Sequence, residues 1–110
     1  MSVTSEFEMD GDDFNGVRFT YSDGVSKMAF SGCRWDIEET KEKFRLFLEK
    51  AEQGQFATVE FEGSNGESSI VHNKGKVSFA VSKYGGNGSG DMSMSLPLEL
   101  CIPALKNVSS

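Results

Sequence analysis

Apolar and polar residues alternate with a period of two along most of this chain. One stretch switches to a helical period. Val17, Phe19 and Tyr21 share one parity, with Arg18 and Thr20 between them, which is the pattern of a half-buried strand. Ser22-Asp23-Gly24 supplies a turn, and Met28-Ala29-Phe30 opens a return strand that ends at Ser31-Gly32. Residues 17–32 therefore read as a β-hairpin. Further on, Ala57, Val59 and Phe61 face one way while Thr58, Glu60 and Glu62 face the other. Gly63-Ser64-Asn65-Gly66 carries an Asn-Gly turn signal. Strands follow over 68–72 and 76–83, joined by Asn73-Lys74-Gly75, with Val77, Phe79 and Val81 inward. After the glycine-rich run 85–90, Met92, Met94 and Leu96 alternate with Ser93 and Ser95 until Pro97 breaks the strand.

Between the two strand groups the period changes. Ile37, Thr40, Phe44, Phe47, Leu48 and Ala51 fall on one helical stripe. Asp36 stands at the N-cap position with Glu39 three residues on, an aspartate capping box. Glu38 and Glu39 complement the positive helix start, and Glu39 and Lys43 form a favourable i,i+4 pair. Gly54 stands where a C′ glycine ends a helix. The spacing predicts a helix over 37–53.

Both ends of the chain are less decided. Val3, Phe7 and Met9 share a parity, yet residues 1–13 hold five acidic side chains and no basic one. The start reads as a frayed tail or an edge strand, with residues 1–4 and 109–110 expected to be disordered. Residues 98–108 are apolar enough for a short helix, but Pro103 interrupts them. A helix beginning near Pro103 and an irregular docking segment fit equally well. The order ββ-α-βββ predicts an α+β fold. It consists of a mostly antiparallel sheet of about five to six strands with one amphipathic helix packed on one face.

The length of 110 residues fits one domain spanning 1–110. Phe outnumbers the other aromatics, with nine against one Trp and two Tyr, and Phe serves packing because it has no polar handle. The net charge is −6. That balance disfavours nucleic acid, which needs cations to displace its counterions, and it suits a small acidic soluble protein. No apolar leader or membrane-length run is present, so the expected compartment is the cytoplasm and no membrane partner is expected. There Cys33 and Cys101 are reduced, although a disulfide between them is compatible with the sequence. The sequons Asn87-Gly88-Ser89 and Asn107-Val108-Ser109 are read as chance.

No motif names a reaction. The run 85–90 is followed by Asp91-Met92, whereas a phosphate loop ends in Gly-Lys-Ser/Thr. Asp10, Asp12 and Asp13 miss the calcium-loop spacing, which would place Phe14, Asn15 and Tyr21 at liganding or turn positions. His72 is the single histidine. It reads as a polar strand residue, with a Cys–His dyad to Cys33 or Cys101 as the catalytic alternative. Glu60 and Glu62 share the outer face of their strand. The expectation is therefore a non-enzymatic protein with no cofactor and no metal. It is expected to be a protein–protein interaction or self-associating module whose partner is another protein or a second copy of itself as a homodimer. The alternative is a single-stranded nucleic-acid-binding domain using the 74–83 hairpin, where Lys74, Lys76 and Lys83 accompany Tyr84 for stacking.

Overall fold

A computed structural model describes residues 1–63, 66–86 and 88–110. The expected turn residues Ser64 and Asn65, and the sequon residue Asn87, lie outside them. The elements run β1 (Ser2–Asp10), β2 (Asp13–Ser22), β3 (Lys27–Gly32), α1 (Ile37–Glu52), β4 (Ala57–Gly63), β5 (Gly66–Asn73), β6 (Lys76–Lys83), β7 (Gly90–Pro97) and α2 (Leu98–Asn107).

The caps of α1 behave as their chemistry demands. Asp36 Oδ1 accepts from the Glu39 amide at 2.8 Å. At the other end Gln53 is the C-cap and Gly54 takes φ +75°. The Gly54 amide bonds the Ala51 carbonyl and the Gln55 amide bonds the Lys50 carbonyl, the paired bonds of a Schellman motif. Thr40, Phe44, Phe47, Leu48 and Ala51 are buried, as the stripe requires. Lys43 does not pair with Glu39 as its spacing suggests, and its ammonium lies 5.2 Å from the Trp35 ring centroid.

The fold is α+β and its strands pair antiparallel, but it is not one sheet with one helix. Strands β1-β2-β3 form one sheet and β4-β5-β6-β7 a second. The helix between β3 and β4 ends the first sheet instead of inserting into it. The pleat of a strand reveals which face is buried, not which sheet the strand joins. Residues 1–4, expected to be disordered, are strand from Ser2, with Val3 buried and paired to Tyr21, and the start of the chain is the edge strand of the two readings left open. The final segment is a continuous helix through Pro103. Proline there removes the amide that would bond the Glu99 carbonyl, a cost of about 3 kcal/mol. The buried face of Cys101, Ala104 and Leu105, with Val108 beyond it, offsets that cost.

The two helices pack on each other, and each also packs on the first strand of the sheet it does not follow in that layer. Thus α2 lies against β1, and α1 against β4. Between the sheets, the Phe30 ring stands 6.2 Å from Phe61 of β4 and 5.6 Å from Phe79 of β6. Strand β3 therefore faces the second sheet across a shared aromatic core. Gly32 makes this close approach possible, since a Cβ there would sit 2.7 Å from the Phe61 ring.

The β5–β6 turn holds Lys74 at φ 51° and Gly75 at φ 79°, the two positive φ values of a type I′ hairpin. Lysine carries a steric cost in that conformation which asparagine largely avoids. Lys74→Asn is expected to raise unfolding stability by about 0.5–1 kcal/mol. Urea denaturation checks this as a shifted midpoint with an unchanged slope.

Candidate functional site

Each sheet has two outer strands, and they are protected unequally. An outer strand offers unpaired amides and carbonyls to any incoming chain. On β1 the Ser5 carbonyl accepts from Asn107 Nδ2 at 2.9 Å, Ser5 Oγ donates to the Ala104 carbonyl at 2.6 Å, and the pairing shifts at Glu8/Met9. On β4 the Glu60 carbonyl accepts from Arg34 Nη1 at 3.2 Å, and Glu60 and Glu62 add charge. Strands β3 and β7 differ. Among the described residues no side chain bonds their backbone, and Lys27 and Asp91, near their starts, are their only charged residues.

These two bare edges border one groove of about 230 Å³. Tyr21, Met28 and Phe30 line it from the first sheet, and Val81, Met92 and Met94 from the second. Every residue that lines it is uncharged. Its rim is unusually apolar for a surface, with Met92 65% exposed and Val81 41% exposed. These two are direct cross-strand partners, in the inward row Phe61–Ser68–Val81–Met92. Phe61 is covered, and the row loses its cover toward β7. The Tyr21 hydroxyl donates to Asp23 Oδ2 at 3.2 Å, and the Ser26 and Val25 amides bond Asp23 Oδ1. These bonds, led by the Ser26 amide, hold the Asp23 carboxyl below its ordinary value.

The residues singled out for nucleic acid do not form one patch. Lys74 lies in the turn and Lys76 follows it at one end of β6, while Lys83 and Tyr84 stand at the other, about 23 Å away at the rise of a strand. Beside Lys83, the outer face of the second sheet carries Glu62 directly opposite Glu67, with Asp91 two strands further along the same row.

His72 is fully buried and both its ring nitrogens are taken. Nδ1 lies 2.7 Å from the Gln55 carbonyl, and Nε2 accepts from the Gly75 amide at 3.2 Å. Because an amide can only donate, Nδ1 carries the proton in this arrangement. The Gly75 carbonyl in turn accepts from Leu98 at the start of α2. His72 thus ties the end of α1 to the β5–β6 turn and, through it, to α2. Neither nitrogen is left for a thiol. The cysteines are not bonded to each other: Cys33 is exposed and Cys101 is buried. Burial pushes the Cys101 thiol from the ordinary value near 9 up to about 11. Among the described residues no group of three or more His, Cys, Asp or Glu could hold a metal, and no helix is long and apolar enough to cross a membrane.

Sequence reasoning placed Val81 on an inward face and gave Met92 and Met94 one shared parity on the last strand; the structure turns all three to the same face. That reasoning missed that this face outruns its cover. The protein is thus a two-sheet α+β domain whose prominent surface feature is an uncharged groove between two unprotected strand edges. It belongs to a family of unknown function, DUF5766, whose sequence pattern covers residues 27–107, from β3 through α2. No curated protein and no solved structure matches the chain.

Two outcomes test the assigned roles. His72→Ala removes two buried hydrogen bonds and leaves a void, so a loss of about 2–4 kcal/mol is expected in thermal or urea unfolding; a loss below about 0.5 kcal/mol would contradict the tie. At pH 8 the native protein should titrate one thiol per chain, Cys33, and two in denaturant. Cys101 is held neutral well above the assay pH and shielded by packing. Its burial favours the folded state below about pH 9, and that contribution fades as pH climbs toward 11.

Proposed function

We propose that this protein is a non-enzymatic protein–protein interaction module that docks an extended, apolar segment of a partner in the groove between β3 and β7. The observation that carries this reading is the pairing of two features in one place. The two edges without hydrogen-bonded protection, each carrying a single charged residue near its start, are also the two that border an uncharged, exposed apolar surface. Strand addition draws affinity from main-chain hydrogen bonds and specificity from pockets for alternate side chains. Here the edges offer the first, and the Val81–Met92 row offers the second. Methionine suits such a surface, because its unbranched thioether adapts to varied partners. An acidic outer face and a neutral groove also sort partners. A basic protein is drawn to Glu62, Glu67 and Asp91, whereas the groove accepts a segment without charge on its inward side.

The test is selection of peptides from a random displayed library on the purified protein. Enriched sequences should alternate apolar with polar residues. They should lose binding at least tenfold on Val81→Lys or Met92→Lys and retain it on Ser78→Lys, a change on the outer face of β6. Enrichment of unpatterned or basic peptides, or binding that ignores the groove variants, would overturn the reading.

A further inference from the structure

Resting on the docking reading above, we infer that the docked segment anchors itself by one aromatic side chain, seated on Phe19, Phe30 and Phe79 beneath the Met92 rim. A ring of the partner then sets specificity in this groove, and apolar character alone does not.

The floor of the groove is aromatic. Phe19, Phe30 and Phe79 all line it, and all three are buried. Phe19 stands 5.4 Å from Phe79 and 6.4 Å from Phe30, and Phe30 stands 5.6 Å from Phe79, at interplanar angles of 50°, 64° and 64°. Rings prefer such tilted and edge-on neighbours, because the negative face of one attracts the positive edge of the next. A fourth ring entering from outside continues that cluster.

The walls are rich in methionine. Met28 stands opposite Tyr21, Met92 opposite Val81 and Met94 opposite Phe79. Three of the five methionines of the chain thus gather at one groove. A thioether sulfur gains by lying about 5 Å from an aromatic ring. An aliphatic side chain would use only the bulk of these methionines, whereas an aromatic one uses their sulfurs as well.

Size and polarity narrow the occupant further. The space is about 230 Å³, while an apolar cavity of about 150 Å³ already takes a benzene. There is room for a phenyl or an indole ring, and an isobutyl group would leave part of the floor bare. On a chain of net −6, every residue lining this groove is uncharged. A charged side chain would lose its water there without gaining a partner. The Tyr21 hydroxyl already donates to Asp23. The mouth is open where Met92 and Val81 are exposed, so a side chain carried along the β7 edge enters directly.

The test reads the methionine methyl groups of the full chain by NMR, with N-acetyltryptophanamide and N-acetylleucinamide as uncharged probes. The tryptophan probe should shift the methyls of Met28, Met92 and Met94 by its ring current and leave those of Met1 and Met9 in place. The leucine probe should bind there about tenfold more weakly or worse. Met94→Trp fills the floor from within and should remove the probe's effect on Met28 and Met92, with circular dichroism unchanged. Among peptides selected on the groove, changing the aromatic residue to leucine should weaken binding by about tenfold or more, and Met94→Trp should erase that difference. If Met94→Trp does not fold, the probe and peptide comparisons on the unaltered chain decide. No shift at the three groove methyls, equal binding of the two probes, or equal shifts at Met1 and Met9 would each overturn the anchor. Peptides that bind through Val81 and Met92 without an aromatic preference would overturn the anchor alone and leave the docking groove standing. Peptides indifferent to Val81 and Met92 would overturn the two together.

Discussion

The Phe30 ring joins the two sheets, and its position determines the rest of the architecture. It packs on Phe19 within its own sheet and on Phe61 and Phe79 across the layer, while Phe19 reaches Phe79 and Phe44 of α1. Aromatic pairs at such tilted and edge-on geometries add about 0.5–1.5 kcal/mol each to the burial of their area. The contact requires β3 to come close to the second sheet, and Gly32 lets the strand approach the Phe61 ring without a side chain between them. Once β3 is fixed there, the last inward row of the second sheet is covered at Phe61 and open at Val81 and Met92. The groove thus lies beside the same inter-sheet contact, with Phe30 and Phe79 in its lining.

The helices close the opposite side of the same arrangement. Because α1 lies on β4 and α2 on β1, both of those edges fall within reach of helical or loop side chains. Asn107 and Arg34 then bond edge carbonyls that would otherwise face water or another chain. Helix α2 also touches β7, but among the described residues no helical side chain is hydrogen-bonded to the backbone of β3 or β7. The asymmetry between protected and unprotected edges therefore arises from topology, since each helix folds back over the far sheet's first strand.

The α1 helix was legible because its signals are local: Asp36, Glu39 and Gly54 each act within a few residues of their own position. The strand faces were legible for the same reason, since a period of two is set by the chain itself. The division into two sheets was not legible, because it depends on contacts such as Phe30 with Phe61, thirty-one positions apart. Pro103 misled in a different way. Its local cost is real, and only the burial of Cys101, Ala104 and Leu105 against distant strands outweighs it. The start of the chain was left open between a frayed tail and an edge strand; Glu6 lies on the outer face opposite Arg18, while Val3 and Phe7 turn toward the core. For the site, the methionine parity was readable and its exposure was not. Exposure is decided by where a neighbouring sheet ends.

Charge and edge chemistry converge on one reading of the surface. An acidic chain resists non-specific association over most of its area, because like charges repel within a Debye length of about 8–10 Å. That repulsion leaves bare strand edges usable where they would otherwise invite aggregation. On β1 and β4 the defence is explicit, in carboxylates and capping side chains. On β3 and β7 it is missing in the same stretch where Met28, Met92 and Val81 gather. If those edges were merely tolerated, a charge at Ser93 or Ser95 would have cost the fold little, since both are exposed and outward. Their place beside an uncharged groove is the observation on which the docking proposal rests.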